Sequence, residues 1–283
     1  MVPAQSSIRN WTRTACTTGL HVMLLAYSIV VLYPFFLMIV TSFKSTREIF
    51  FSPFGLPAQP GFETYLKVWK NASFNVYFAN SAIITGVSVL LILAVGSLAA
   101  YGLARYNFRM NTAIYLFFLA GLMLPIRLGI VPLFLLMKNL NLVDTRSALI
   151  LTYVANGMPF AIFVLTGFFR TLPGELEEAA RLDGCGEFMI FHRVMLPLIR
   201  PALATVTIFN FVPLWNDLFF PLIFIRSDAL KTIPLGMTLF FGQYETEWGL
   251  LFAGLVIATI PLATLYLFMS RQFIKGLTAG AIK

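Results

Sequence analysis

An all-α, polytopic membrane protein with six spanning helices is the fold class this sequence predicts, and three observations carry it. Of the 283 residues, 59% are hydrophobic and only 11% charged, against roughly 25% charged in a soluble globular domain. Apolar runs that match the roughly 20 helical residues needed to cross a hydrocarbon core of about 30 Å recur along the whole chain. The basic residues behind the net charge of +8 stand singly at the ends of those runs, which orients helices in a bilayer, instead of clustering into a nucleic-acid-binding stripe. No stretch remains for a second soluble domain.

The runs place helices at 20–42, 79–104, 112–136, 147–169, 202–225 and 250–271. Arg9 and Arg13 ahead of the first run resemble the start of a signal peptide, but the run is too long for one and no small-residue cleavage site follows. It is read as the first span, after a cytoplasmic segment 1–19. An even number of spans puts both termini on one side. With the termini inside, eleven basic residues are cytoplasmic and eight external, with Arg127 inside a span; the short 105–111 turn agrees, so the N-in, C-in orientation is favoured.

Two outer segments are substantial. Residues 43–78 carry Pro53, Pro57, Pro60, Gly55 and Gly61 and so cannot form one helix; residues 226–249 end in QYETEWG. Both are candidate docking surfaces, the alternative being plain connections between helices. Cys16 and Cys185 match no metal or redox spacing.

Between the fourth and fifth spans, the cytoplasmic segment 170–201 is charged and helix-forming. Pro173 opens a helix, Glu175, Glu177 and Glu178 favour its positive N-terminal end, and Ala179, Ala180 and Leu182 supply propensity and an apolar side. Asp183-Gly184 breaks it. A second helix is predicted from Glu187 to Leu196, with Phe188, Phe191, His192 and Met195 on one face and Pro197 as its stop. Such a helix-turn-helix, leading into the fifth span, is placed to pass a push from a cytoplasmic partner into the bundle; a solvated loop helix is the plainer reading.

The stretch EEAARLDGCGEFMIFHRVMLPLIRP resembles the EAA motif of ABC-importer permeases, with Glu178, Ala179, Ala180, Gly184, Leu196 and Pro197 at the matching positions. Asp183, Pro201, NS at 80–81, LNLVDT at 140–145, WND at 215–217 and the closing GLTAGAIK are similar to the carbohydrate branch, in particular maltose- and glycerol-phosphate-type second permease subunits. Cys185 departs from the commoner alanine.

The resemblance implies a type I ABC-importer permease in the bacterial cytoplasmic membrane, domain 20–283. Its partners would be a second permease, two cytoplasmic ATP-binding subunits that bind ATP and Mg, and an extracytoplasmic solute-binding protein. It also implies that 175–197 is the coupling helix, with Glu178 and Gly184 at the ATP-binding subunit. Ala179 and Ala180 would permit close packing there, and Arg181, Asp183, His192 and Pro197 belong to the same surface.

No GxxxxGK[ST] run cradles phosphate, no GxSxG elbow is present, and only His21 and His192 could serve a histidine metal site. The chain is therefore read as a permease and not an enzyme. Intramembrane polar residues are the remaining candidates. Arg127 and Asp217 each fall fifteen residues into outward-running spans, about 22 Å deep at 1.5 Å per residue, with Asn156 and Asn216 in the same layer and Pro125, Pro159 and Pro213 nearby. This layer edges a translocation pathway, with an Arg127–Asp217 pair as gate or strut, or it is an interhelical brace. Trp215, Phe219, Phe220 and Tyr153 are candidate sugar-facing aromatics. The rival functions are an ABC permease for polyamines or amino acids and an ion-gradient secondary transporter, which needs an ion relay and an inverted repeat that the sequence does not display.

Overall fold

The computed structural model describes residues 4–71, 73–241 and 246–281, and side chains other than those of 4–16, 71, 271 and 273–281. Arg9, Arg13 and Cys16, the middle of the predicted 226–249 loop and most of the closing GLTAGAIK therefore lie partly or wholly outside the described residues. Each apolar run is helical, as lipid demands of a backbone with no water to bond, but two of the runs are broken. Among the described residues four helices are long and apolar enough to span a membrane, and the number rises to six if each of two bent helix pairs is one span.

The chain forms two compact units, one of residues 1–71 and 240–257, the other of 72–239 and 258–283. In the first, α1 (Ala4–Thr41) is helical from well before the predicted start at 20. The 43–78 segment contains α2 (Thr46–Phe51), α3 (Glu63–Leu66) and a π turn (Lys67–Asn71), short pieces separated by the proline-rich stretch. Ser45 caps α2 at its N-terminus through the Glu48 amide, 3.3 Å away. At the other end Lys44, only 1% exposed, donates to the carbonyls of Ser52 (2.8 Å) and Pro53 (3.2 Å). A cation on the carbonyls that end a helix meets the negative pole of its dipole.

The second unit is built on α4 (Phe74–Arg105) packed along α7 (Arg146–Thr171), the most extensive helix pairing in the molecule. Ile84, Ile92 and Ala100 meet Leu149, Tyr153, Ala161, Leu165 and Phe169 in its core. Small residues set the distance: a Cβ on Gly157 would collide with Ile92 and Asn210, the close approach that small side chains permit between membrane helices.

The predicted third span, 112–136, is α5 (Asn111–Met123) and α6 (Ile130–Asn139), joined through a 3₁₀ turn and bent by 85°. The cause is Pro125, which drives Leu124 to extended backbone (φ −87°, ψ 117°) and so ends α5. The predicted fifth span, 202–225, is α11 (Arg200–Trp215) and α12 (Phe219–Phe224). Asp217 restarts the chain as α12 by accepting the amides of Phe219 (3.3 Å) and Phe220 (3.2 Å). Pro159, by contrast, sits inside an unbroken α7.

The described part of the second outer segment, with α13 (Ile233–Met237), is tied down by side chains far away in sequence. Asn80 donates to the carbonyls of Ala229 and Lys231, both at 2.9 Å, and accepts from Arg146 Nε at 2.9 Å. The Ser81 hydroxyl accepts the Ile233 amide at 2.8 Å. Asp144, in left-handed backbone (φ 62°), accepts the amides of Arg226 and Ser227 at 2.9 Å and the Ser227 hydroxyl. The last helix, α14, runs Trp248–Ala281.

Candidate functional site

Residues 170–201 form α8 (Glu175–Leu182), a tight turn, and a helix over Glu187–Leu198 built from α9 (Glu187–Met189), a π turn (Ile190–Met195) and α10 (Leu196–Leu198). The predicted acidic first turn of α8 is present. Its end is a complete left-handed cap: Gly184 has φ +80°, its amide donates to Arg181 O (3.0 Å), and the Cys185 amide donates to Ala180 O (3.0 Å). Glycine is required there by backbone conformation. A Cβ at Gly184 would meet nothing within 4 Å, so the position faces open space as far as this chain is concerned.

α8 presents two faces. Glu177 and Ala180 are buried, 6% and 8% exposed, whereas Glu178, Ala179, Arg181, Asp183 and Gly184 point outward. Leu182, expected to lend an apolar side, is 90% exposed. Glu178 and Asp183 have no side-chain hydrogen bond or ion pair among the described residues. Arg181 turns back on its own chain, making a two-pronged contact with Glu187 at 2.8 and 3.2 Å, and Tyr106 donates to the same carboxylate at 2.7 Å. Arg181 first and Tyr106 second hold the Glu187 carboxyl down to about 2.

Two expectations for the second helix fail. The π turn adds a residue to the local repeat, so Ile190, Phe191, Met195 and Ile199 point inward while Phe188 and His192 stay exposed, their rings stacked at 6.3 Å. Pro197 also does not stop the helix at once: it runs one residue further, to Leu198. The chain turns after Leu198, by 77° into α11.

At the other candidate site, the Arg127–Asp217 ion pair is not formed. Arg127 lies over the Phe219 ring, 5.2 Å from its centroid. The Asp217 carboxylate accepts the Tyr153 hydroxyl at 2.8 Å and caps α12. Its lone pairs are used as a helix cap and the guanidinium has an aromatic face instead. Trp215 is 3% exposed, donates to Ala258 O at 3.0 Å and stacks on Phe211 at 5.6 Å. Tyr153 and Phe220 are likewise buried, so of the four candidate aromatics only Phe219 is half-exposed. Asn216 is exposed and bonds back to Val212 O at 2.9 Å. Asn156 lines a cavity of about 230 Å³ with Phe160, Phe209, Asn210, Pro213 and Leu214.

Sequence reasoning missed Arg105, Tyr101 and Glu177. Arg105 and Glu177 form an ion pair of 3.2 Å between side chains 14% and 8% exposed. Their partnership spans two separate helices and has no signature in local spacing.

Comparison with known proteins identifies the family. Residues 92–278 match the family model described as binding-protein-dependent transport system inner membrane component. The chain is 39% identical over 265 residues to the diacetylchitobiose uptake system permease protein NgcG of Streptomyces coelicolor, covering 93% of this chain and 88% of that one. It is 34% identical over 275 residues to the melibiose/raffinose/stachyose import permease protein MelC of Bacillus subtilis, covering 96% and 99%. A chain of a bacterial ABC transporter involved in import of the acidic polysaccharide alginate superposes with a TM-score of 0.78 at 22% identity, over 96% of this chain and 99% of that one, a likeness of fold. The chain is thus a multi-pass membrane permease and belongs to the family of binding-protein-dependent transport system inner membrane components.

Proposed function

We propose that this chain is one permease subunit of an ATP-driven carbohydrate importer, with six spans and both termini in the cytoplasm. It pairs with a second permease, takes its energy from two ATP-binding subunits and receives its sugar from an extracytoplasmic binding protein. The observation that carries the reading is α8: a short helix, rigidly terminated at Gly184, whose Glu178, Ala179 and Asp183 face away from their own chain. An exposed charged face beside the 90% exposed Leu182 suits a cleft on another protein. Closure of the ATP-binding subunits would move α8 and switch the bundle from inward- to outward-open.

Carbohydrate as the cargo class is supported by the relatives, which include uptake permeases for diacetylchitobiose and for melibiose, raffinose and stachyose. Glu178→Lys and Gly184→Asp should each abolish ATP-driven uptake and copurification of the ATP-binding subunit while membrane insertion persists. Normal uptake in both variants would sink the coupling role. A thermal-shift screen of the cognate binding protein against oligosaccharides, polyamines and amino acids tests the cargo class, and a response confined to amino acids or polyamines would overturn it.

A further inference from the structure

Two covalent links tie the coupling segment to the bundle: residues 172–174 join α7 to α8, and the helix over Glu187–Leu198 leads into α11. The second link runs through a π turn at Ile190–Met195 and a 77° bend into α11. The side-chain route is different. Arg105, the last residue of α4, meets Glu177 of α8 at 3.2 Å and donates from its other arm to Leu172 O, at the end of α7, at 2.9 Å. The Tyr101 hydroxyl, one turn back on α4, is buried in the same cluster without a hydrogen-bond partner among the described residues. Beside this polar cluster, the Tyr101 ring packs on Phe169 of α7 at 5.4 Å and on Phe191 of the π turn at 5.2 Å.

We infer that Glu177, Arg105 and Tyr101 form a buried joint through which α8 drives the paired helices α4 and α7, and that Glu177 and Arg105 are positioning residues for the transport cycle. This rests on the coupling reading above. α4 and α7 are the most tightly joined helices, and α7 carries Asn156 and Gly157 in mid-helix. A displacement delivered to their ends therefore moves the layer that edges the cavity. The Arg105–Glu177 contact is at ion-pair distance without a well-aligned hydrogen bond. Charge attraction falls slowly with distance whereas hydrogen bonds weaken steeply with angle, so this contact follows α8 through a small shift instead of snapping.

The test uses the assembled transporter in nanodiscs, with Cys16 and Cys185 replaced by Ser and Asn156→Cys as reporter. The probe is a membrane-impermeant maleimide, and the readout is the ratio of labelling rates with ATP plus vanadate to those without nucleotide. Glu177→Gln should keep the ATP-binding subunits copurifying and hydrolysing ATP, yet lower that ratio by at least about fivefold, the span of a typical coupling free energy. If Glu177→Gln fails to assemble, the exchange Arg105→Glu with Glu177→Arg decides: recovery of assembly and ratio supports the joint, and no recovery overturns it. An assembled Glu177→Gln transporter with the reference ratio also overturns it. Glu178→Lys separates the two readings. If it is uncoupled while Glu177→Gln is not, the joint alone fails; if it behaves as the reference chain, the coupling reading fails and takes the joint with it.

Discussion

The coupling segment and the polar layer both interrupt the apolar character of this chain, and they do so in opposite ways. In the polar layer the groups are consumed at home: Asp217 caps α12 and takes the Tyr153 hydroxyl, Trp215 bonds Ala258 O, Asn216 bonds Val212 O, and Arg127 covers Phe219. On α8 the outer residues Glu178 and Asp183 have no such side-chain partner among the described residues, and Leu182 is bare. Polar groups satisfied internally act as braces, whereas the outward groups of α8 are the surface we propose another subunit covers.

The sharpest way to break that contrast is to remove a brace and a contact and compare. Asp217→Ala loses a helix cap and strands a buried hydroxyl, so it should destabilise the detergent-solubilised protein by about 2–4 kcal/mol, read as a fall in melting temperature. Glu178→Lys, by contrast, should move stability by no more than about 0.5 kcal/mol while stopping uptake. An Asp217→Ala chain as stable as its parent but inactive would put Asp217 in the pathway instead.

Arg127→Leu should cost less, about 0.5–2 kcal/mol for a lost cation–π contact. Exchanging Arg127 and Asp217 should not rescue either single substitution in an uptake assay; rescue would restore the ion pair that the geometry excludes. The smallest effect belongs to the exposed Arg181–Glu187 link. The folded Glu187 carboxyl is depressed from 4.5 to about 2, so its contribution is complete above pH ~4.5 and is lost as pH falls toward 2. Being solvent-exposed it is weak, and Glu187→Gln should leave the melting temperature unchanged at pH 7 in physiological salt. A large drop there would make the link part of the joint.

Much of this was legible in the sequence, and what was not has physical causes. Helix positions follow from apolar runs, since lipid leaves the backbone few alternatives. The α8 break was legible too, because Asp-Gly after a helical run has few other conformations. The 85° bend at Pro125 was not, since packing decides whether a proline in an apolar run breaks its helix: Pro159 sits inside the continuous α7. The π turn hid the inward face of 187–198 by shifting its period. NS, LNLVDT and WND supported the resemblance without disclosing a role. Asn80 and Ser81 fasten the 229–233 stretch, Asp144 fastens Arg226 and Ser227, and Asp217 restarts a helix. Their partners lie up to 152 residues away, beyond any local pattern.

The exposed face of α8 as the seat of another subunit is tested most directly by cross-linking. In the assembled transporter with Cys16 and Cys185 replaced by Ser, a short thiol–amine cross-linker on Glu178→Cys should join this chain to the ATP-binding subunit. The same reagent on Phe51→Cys, 80% exposed in the predicted outer segment, should not. A cross-link from position 51 and none from position 178 in an ATP-hydrolysing complex would contradict both the coupling surface and the orientation proposed for the chain.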